Sequence, residues 1–168
     1  KLAEVLTGHM KGGLAQSNVM LSTLMGGMSA SNVADCAMLC KMLVPEMVKL
    51  GYSRAFSTAV TAAGSLITPI IPPGMALIIY AYVADVSVGK MFMSGVIPGI
   101  MCCVALMVTI SIVARVRNYQ PARAHGATWP EFWDALKGAL GGLTLVLVIL
   151  GGIRMGAFTA TEAGAIAV

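Results

Sequence analysis

The sequence predicts an all-α polytopic membrane protein, and three observations support that prediction. Of the 168 residues, 58% are hydrophobic and only 11% are charged, whereas soluble domains carry about 25% charged residues. A soluble protein of this composition would expose too much apolar surface to stay dispersed. Apolar runs long enough for membrane helices follow one another, with most basic residues in the segments between them. Glycine, proline or polar residues interrupt two of these runs in mid-course.

The first interrupted run spans residues 14–44, and the polar stretch 26–35 divides it. The apolar flanks, 14–25 and 33–44, have 12 residues each. As a helix, each would rise about 18 Å, which is roughly half of the hydrocarbon core of a bilayer. We therefore predict a re-entrant hairpin of two half-length helices around a Gly/Ser turn. Such a turn at membrane depth needs protein or a water-filled cavity around its backbone.

The second interrupted run spans residues 55–84, with the sequence TPIIPPG in its middle. Its three prolines cannot all belong to one regular helix, because each lacks an N–H donor and obstructs the preceding turn. The apolar pieces on either side, 55–66 and 74–84, would rise about 18 and 16 Å as helices. We predict a broken transmembrane helix, with the break near the midplane of the bilayer.

The rest of the chain supplies connecting segments and further membrane helices. We predict an amphipathic, interfacial lead-in, the broken helix with an interfacial segment behind it, a transmembrane helix, a cytoplasmic connector that contains an amphipathic segment, and a last transmembrane helix. In order, these cover residues 1–13, 45–95, 96–116, 117–137 and 138–168.

The basic residues indicate which side of the membrane each connection occupies. If the hairpin enters and leaves on one side, nine of the 11 Lys and Arg residues lie on that same side. Positively charged loops are typical of the cytoplasmic side. The sequence therefore predicts a multi-pass protein with both connections of the hairpin in the cytoplasm.

The hairpin tip is the first candidate binding site. The free carbonyls that end the first half-helix favour a cation, and the free N–H groups that start the second favour a carboxylate. Ser29, Ser31 and Asn32 add oxygen atoms and donors, while Gly26 and Gly27 allow close approach to the backbone. Ligation by oxygen alone suits a hard cation and not a transition metal.

Asn32 and Asp35 also have a purely structural explanation. Asn32 as an N-cap, with Asp35 three residues later, resembles a capping box that has Asp in place of Glu. Asp35 could instead face a cavity and accept a proton or a sodium ion, because acidic residues inside membranes are functional candidates by default. The sequence leaves both interpretations open.

The break in the second run is the other candidate site. A proline-broken helix frees carbonyls around residues 64–71, where Ser65 and Thr68 supply hydroxyl groups. A simple kink is the alternative. A hairpin and a broken helix with their gaps at the same depth form the arrangement that secondary transporters use for substrate and coupling ions.

Other classes of function find no support in the sequence. No nucleophile–base pairing, Walker loop or HExxH motif is present, so we expect no enzymatic activity and no cofactor. The basic residues are scattered along the sequence, which disfavours nucleic acid as a partner. The four cysteines form no disulfide framework, and no His or acid completes a zinc site with them.

Several motifs resemble a known family. GGLAQSNVMLSTLMGGMSASNVAD, VPEMVKLGYSRAFSTAVTAAGSLITPIIPPGMALIIY, VSVGKMFMSGVIPG and GGIRMGAFTATEAGAIAV are similar to the large membrane subunit of tripartite ATP-independent periplasmic (TRAP) transporters. The resemblance covers nearly the whole chain and is weakest over 117–137. That family's chain is longer, and this sequence begins on Lys1 and ends at Val168 inside an apolar run. We expect a central fragment whose last segment starts the second inverted repeat.

The resemblance implies a function and a set of partners. Such subunits resemble elevator-type transporters that use sodium, the coupling ion, to import a small organic acid across the bacterial inner membrane. The implied partners are a small, DctQ-like membrane subunit and a periplasmic solute-binding protein, together with the lipid bilayer. Two alternatives stay open: an anion exchanger or pump subunit of similar architecture, and a membrane scaffold that transports nothing.

The resemblance also implies site residues, located between the hairpin tip and the loop of the broken helix. Backbone carbonyls supply many of the sodium ligands in this picture, and Ala30 stands where the family often has the glycine of Ser-Gly-Ser. The sodium site would include Gly27, Ser29, Ser31, Asn32, Ser65 and Thr68, with Asp35 as a further candidate. The substrate would contact Ser31, Asn32, Thr68 and Pro72.

Overall fold

The computed structural model describes residues 2–26, 31–119 and 129–155. Within those residues the chain forms helices and no strands, which confirms the predicted all-helical class. In chain order the helices are α1 (Leu2–Thr7), α2 (Gly13–Met25), α3 (Asn32–Lys49), α4 (Arg54–Ser65), α5 (Met75–Val83), α6 (Val88–Val116) and α7 (Trp129–Arg154).

α2 is the central helix of the fold, because α1, α3, α4 and α6 all pack around it. Residues 12–19 are buried without exception. The helix follows Gly12, whose φ of +76° falls in the left-handed region. A Cβ at Gly12 would lie only 2.6 Å from the Cβ of Ala114 in α6. Both the backbone angle and the close approach therefore require glycine here.

α1 packs against α2 and is largely buried. Leu2, Ala3 and Val5 are buried, and the hydroxyls of Thr7 and Ser17 share a hydrogen bond of 2.9 Å. Within the segment predicted to be interfacial, most of α1 is therefore buried, while Leu6 and residues 9–11 are exposed.

α3 is longer than the predicted second arm of the hairpin. It continues past residue 44, through Pro45, to Lys49, and its 18 residues correspond to a rise of about 27 Å. Leu43 and Met47 lie on either side of Pro45 and are both buried on the same face. The packing of that face keeps the helix going across the hydrogen bond that proline removes. The expectation of two half-length arms is therefore wrong for the second one.

α4 and α5 lie close to the bounds predicted for the two pieces of the broken helix. Residues 66–74 separate them, and the peptide bond between Pro72 and Pro73 is cis. Gly74 closes this segment against the backbone carbonyl of Pro69, where a Cβ would collide with the oxygen. That the two helices together cross one bilayer stays a prediction.

α6 runs without interruption from Val88 to Val116, so the end of the predicted interfacial segment and the membrane helix predicted from residue 96 are one element. Phe92, Gly95, Gly99 and Cys103 are buried along one face, and this shared packing carries the helix through Pro98. α6 is the helix in the described part of the chain whose length and apolar composition suffice to cross a membrane.

α7 likewise joins parts of two segments that were predicted to be separate, the connector 117–137 and the membrane helix that begins at residue 138. It forms one helix of 26 residues from Trp129 to Arg154, so the predicted amphipathic segment around Trp133 is its first part. The prediction of a connector from 117 onward falls partly on residues 120–128, which lie outside the described residues.

Candidate ion and substrate site

α2 and α4 run side by side in the same direction, and their contacts advance in step along both helices. Asn18 of α2 donates a hydrogen bond of 2.7 Å from Nδ2 to the hydroxyl of Thr61. One turn further on, a Cβ at Gly64 would lie 3.2 Å from the Ser22 hydroxyl oxygen. The end of α2 is therefore brought to the end of α4, where residues 66–74 begin.

The end of α2 contacts the segment between α4 and α5 directly. A Cβ at Gly26 would lie 3.2 Å from the carbonyl oxygen of Thr68 and 3.0 Å from the Cβ of Ile71. The Thr68 hydroxyl donates a long hydrogen bond, 3.5 Å, to the carbonyl of Ser22. The end of α2 thus lies against residues 66–74, which we call the proline segment, whereas the predicted hairpin tip falls largely on residues 27–30, outside the described residues.

α6 holds the same segment from the other side. A Cβ at Gly95 would lie 2.6 Å from the carbonyl oxygen of Ile70, and a Cβ at Gly99 would lie 2.7 Å from Cγ1 of Ile71. Glycines four residues apart on a helix permit such close packing. The Gly95-to-Gly99 spacing was readable in the sequence, yet nothing in it showed that an irregular segment would be the partner.

The start of α3 differs from the predicted capping box by one residue. Ser31 is the N-cap, with φ −121° and ψ 108°, and its hydroxyl accepts a hydrogen bond of 3.3 Å from the N–H of Ala34. Asn32 is therefore the first helical residue. The interpretation of Asn32 as the cap is wrong, and Asp35, one position past the capping-box glutamate, needs another explanation.

Asp35 is buried although it lies only one turn into α3. Its side chain is 3% exposed, and Oδ2 has no hydrogen-bond partner among the described residues. Asp35 continues the buried face of α3 that Leu39, Leu43 and Met47 form. A buried carboxylate oxygen without a partner is costly, which makes Asp35 a candidate to contact a bound cation.

The candidate residues at the end of α4 and on the proline segment are all buried. Ser65 is 3% exposed, and its hydroxyl donates to the carbonyl of Ala62 at 2.9 Å, which leaves its lone pairs available. Thr68 and Pro72 are fully buried. In contrast, Ser31 is exposed.

The structure places some of the predicted site residues together and leaves others apart. Thr68 contacts the end of α2, whereas neither Ser31 nor Asn32 forms a hydrogen bond with Ser65 or Thr68 among the described residues. The two remaining predicted sodium ligands, at positions 27 and 29, lie outside the described residues.

Asn18 is a buried polar residue that the sequence analysis did not single out. The Thr61 hydroxyl uses its hydrogen on the carbonyl of Ser57, at 2.9 Å, and must therefore accept from Asn18. This fixes the orientation of the amide, whose nitrogen also lies 3.9 Å from the sulfur of Met47. Oδ1 of Asn18 is buried and has no donor within the described part of the chain.

Two more buried oxygen atoms on α2 have no hydrogen-bond partner among the described residues. Gln16 donates from Nε2 to the hydroxyl of Ser111 in α6, at 2.8 Å, while its Oε1 has no partner among the described residues. The hydroxyl of Ser22 is likewise buried without a partner. We call Gln16, Asn18 and Ser22 the α2 polar line. The signal in the sequence was the presence of amides and hydroxyls within an apolar arm of 12 residues.

Comparison with known proteins identifies the relatives of this chain. It is 38% identical over 164 residues to the sialic acid TRAP transporter large permease protein SiaM of Vibrio cholerae. It is 39% identical over 165 residues to the C4-dicarboxylate TRAP transporter large permease protein DctM of Pseudomonas aeruginosa. It is also 39% identical over 158 residues to the ectoine TRAP transporter large permease protein TeaC of Halomonas elongata.

These alignments cover 98%, 98% and 94% of this chain, but only 38%, 38% and 36% of the respective relatives. The chain therefore spans well under half the length of the curated relatives that it matches. The family model of the tripartite ATP-independent periplasmic transporter, DctM component, matches residues 1–168. The chain belongs to the DctM component family of tripartite ATP-independent periplasmic transporters.

Proposed function

We propose that this chain forms part of the large subunit of a TRAP-type transporter, which imports a small organic acid across the bacterial inner membrane by symport with sodium. The contact of Gly26 with Thr68 and Ile71 is the observation that carries the proposal, because it joins the hairpin arm to the proline segment. The names of the relatives give sialic acid, C4-dicarboxylate and ectoine as substrates of those proteins. For this chain we propose the class of substrate, a small organic acid, and no individual compound.

The chemistry of the site supports a hard cation. Its candidate side chains are the hydroxyls of Ser31, Ser65 and Thr68, the amide of Asn32 and the carboxylate of Asp35. All of them offer oxygen atoms, which sodium prefers over nitrogen or sulfur. A sodium ion would also offset the cost of the buried carboxylate oxygen of Asp35.

The start of α3 suits the carboxylate of a substrate. The N–H groups of Ala34 and Asp35 are used by the Ser31 hydroxyl and the Ser31 carbonyl. The first two N–H groups of the helix, at Asn32 and Val33, are directed outward from its N-terminus, as in any helix. Anions bind at such positions because N–H groups and the helix dipole both favour negative charge.

The membrane arrangement is part of the same proposal. Residues 14–44 act as a re-entrant hairpin whose second arm extends to Lys49, and α4 and α5 act as the two halves of a broken helix. The hairpin and the broken helix move in the manner of an elevator, and a small membrane subunit works with them. A periplasmic solute-binding protein delivers the organic acid.

Sodium coupling can be tested with the full transporter complex reconstituted in liposomes. We expect uptake of the substrate to follow an imposed sodium gradient. Asp35→Asn removes the charge from the buried carboxylate, and we expect it to raise the sodium concentration for half-maximal uptake by at least tenfold. Asp85→Asn is the matched control, since Asp85 is exposed in the turn before α6 and Asn tolerates its positive φ. Uptake that is indifferent to sodium would reject the coupling.

A second pair of variants separates an ion ligand from a structural residue. Thr68→Val removes the hydroxyl beside α2 and keeps the shape of the side chain, and Ser31→Ala removes the cap of α3. We expect Thr68→Val to weaken the dependence of uptake on sodium. Ser31→Ala should weaken the dependence of uptake on both sodium and substrate concentration. If both variants lose stability but keep the sodium dependence of the parent, the two hydroxyls stabilise the local backbone and do not bind the ion.

A further inference from the structure

Segments far apart in the sequence meet at the end of the bundle opposite to the proline segment. Tyr52 follows α3 and Tyr119 follows α6, and their rings stack with centroids 4.4 Å apart. Phe56 adds a third ring, 5.4 Å from that of Tyr119. Gly12 packs against Ala114 nearby in α6. The start of α2, the turn between α3 and α4, and the end of α6 therefore form one surface.

This surface gathers positive charge, and we call it the basic end. Its five cations are exposed and come from positions that are scattered in the sequence. They make up five of the nine Lys and Arg residues in the described ranges. Glu46, also exposed, lies one turn before one of them on α3. The basic end consists of Lys11, Lys49, Arg54, Arg115 and Arg117.

Hydrogen bonds fix the position of one cation within the basic end. Arg117 donates from Nη1 to the hydroxyl of Ser53, at 3.3 Å, and to the hydroxyl of Tyr119, at 3.5 Å. The Tyr119 oxygen also accepts from the N–H of Ser53, at 3.3 Å. Because this oxygen accepts twice, the hydroxyl hydrogen of Tyr119 is available to an incoming acceptor, as are the remaining N–H groups of the guanidinium.

Apolar side chains border the basic end. Val116 is 80% exposed, Ile112 is 58% exposed, and both lie on the last turns of α6. Leu50, which follows α3, is also exposed. A ligand for this surface should therefore combine an anionic group with hydrocarbon. A free anion or a nucleic acid would use the cations and leave the apolar border without a partner.

We propose that the basic end binds the headgroup of an anionic phospholipid, with its phosphate at Arg117 and Tyr119 and its acyl chains along Ile112 and Val116. Guanidinium groups bind phosphate oxygens through two parallel hydrogen bonds. Clusters of four to eight basic residues next to a membrane helix attract anionic lipids. The aromatic rings suit the same depth, because tyrosines are enriched where the membrane meets water.

The proposal can be tested by lipid titration of the purified full-length permease, with bound lipid counted by native mass spectrometry. We expect phosphatidylglycerol to bind more tightly than phosphatidylcholine. Arg117→Gln should weaken the binding of phosphatidylglycerol about fivefold, and Arg54→Gln with Arg117→Gln about 25-fold, since each basic residue near the surface contributes about one such factor. Arg117→Lys keeps the charge and should weaken it less than Arg117→Gln.

Lys90→Gln is the matched control, because Lys90 is exposed at the other end of α6, about 38 Å from Arg115 along the helix axis. It should bind phosphatidylglycerol like the parent protein. Equal binding of the two lipids, or equal loss in Lys90→Gln and Arg117→Gln, would overturn the proposal. So would displacement of phosphatidylglycerol by millimolar inorganic phosphate, which would identify a site for a free anion. Should Arg117→Gln fail to fold, Arg54→Gln alone carries the test.

Discussion

α2 and α6 touch each other, yet they reverse the usual relation between polarity and burial. On α2 the amides of Gln16 and Asn18 are fully buried. On α6 the apolar side chains of Ile97, Met101 and Val104 are more than half exposed. In water this pattern would be unstable. It is stable if lipid surrounds α6 and the other helices shield α2 from that lipid.

The contact between the two helices shows how each face of α6 fits its surroundings. Where α6 meets α2 it carries Ser111, which accepts from Gln16, and Ala114, which packs against Gly12. Small and polar residues at helix contacts are typical of membrane proteins, because lipid drives no apolar association between helices. The exposed face of α6 carries branched apolar residues instead. The face of α6 toward α2 therefore suits another helix, and its exposed face suits lipid. The overall composition of α6 would not distinguish the two faces.

A charge on the exposed face of α6 should have the largest effect. Val104→Lys places an ammonium near the middle of α6, and we expect a cost of about 3 kcal/mol for insertion into the membrane. Val116→Lys is the control, because Val116 lies at the end of the helix, where a lysine reaches the headgroups. The measurement is the fraction of permease recovered folded in the membrane. Equal recovery of both variants would show that protein or water, and not lipid, covers this face.

A methyl group on the inner face of α6 should have the next largest effect. Gly95→Ala puts a Cβ 2.6 Å from the carbonyl oxygen of Ile70, and such overpacking costs about 1–3 kcal/mol. Because residues 66–74 must shift, transport should fall as well. Gly138→Ala in α7 meets nothing within 4 Å and should be neutral or stabilising. Thermal unfolding and uptake measure the two effects, and a neutral Gly95→Ala would show that the proline segment moves freely.

The sequence predicted those elements whose ends are marked by local chemistry. The bounds of α4 and α5 lie within a residue or two of the predicted pieces, because prolines and Gly74 punctuate the chain there. The polar tip likewise ends α2 close to the expected residue. At these positions several residues that disfavour a helix follow one another, so the ends can be predicted without knowledge of distant contacts.

Other features depend on distant contacts, and the sequence did not reveal them. α3 continues through Pro45 because packing buries Leu43 and Met47, whereas proline alone suggests an end. Ser31 and Asn32 are equally good caps by residue type, and only the backbone angles select Ser31. The partners of the α2 polar line are 43 and 95 positions away in the chain. For the candidate site, the residue types were predictable but their contacts were not.

Removal of the buried amide on α2 should have an intermediate effect. Asn18→Leu loses the hydrogen bond to Thr61 and also removes the oxygen that has no donor, so we expect a loss of about 1–2 kcal/mol in unfolding free energy. Thr23→Val is the control on the same helix, because the Thr23 hydroxyl donates to the carbonyl of Val19 one turn earlier and to no other helix among those described. Chemical unfolding in detergent measures both. If Asn18→Leu is as stable as Thr23→Val, the amide contributes no net stability to α2.

The smallest effect concerns the two tyrosines where α2 and α6 come together at the basic end. The hydrogen bond from Arg117 lowers the pKa of Tyr119, whereas burial raises the pKa of Tyr52. As the pH rises, Tyr119 should therefore ionise first, and Arg117→Gln should bring the two transitions closer together. The lowered pKa of Tyr119 stabilises the fold in full above about pH 10, the ordinary pKa of tyrosine, and this contribution is lost as the pH falls through the lowered value. The raised pKa of Tyr52 has the opposite sign, so its contribution is lost as the pH rises through the raised value. Carbon-13 NMR of labelled tyrosine, with Tyr119→Phe for assignment, measures the order, and an unchanged separation of the two transitions in Arg117→Gln would mean that the Arg117 hydrogen bond does not persist in the membrane.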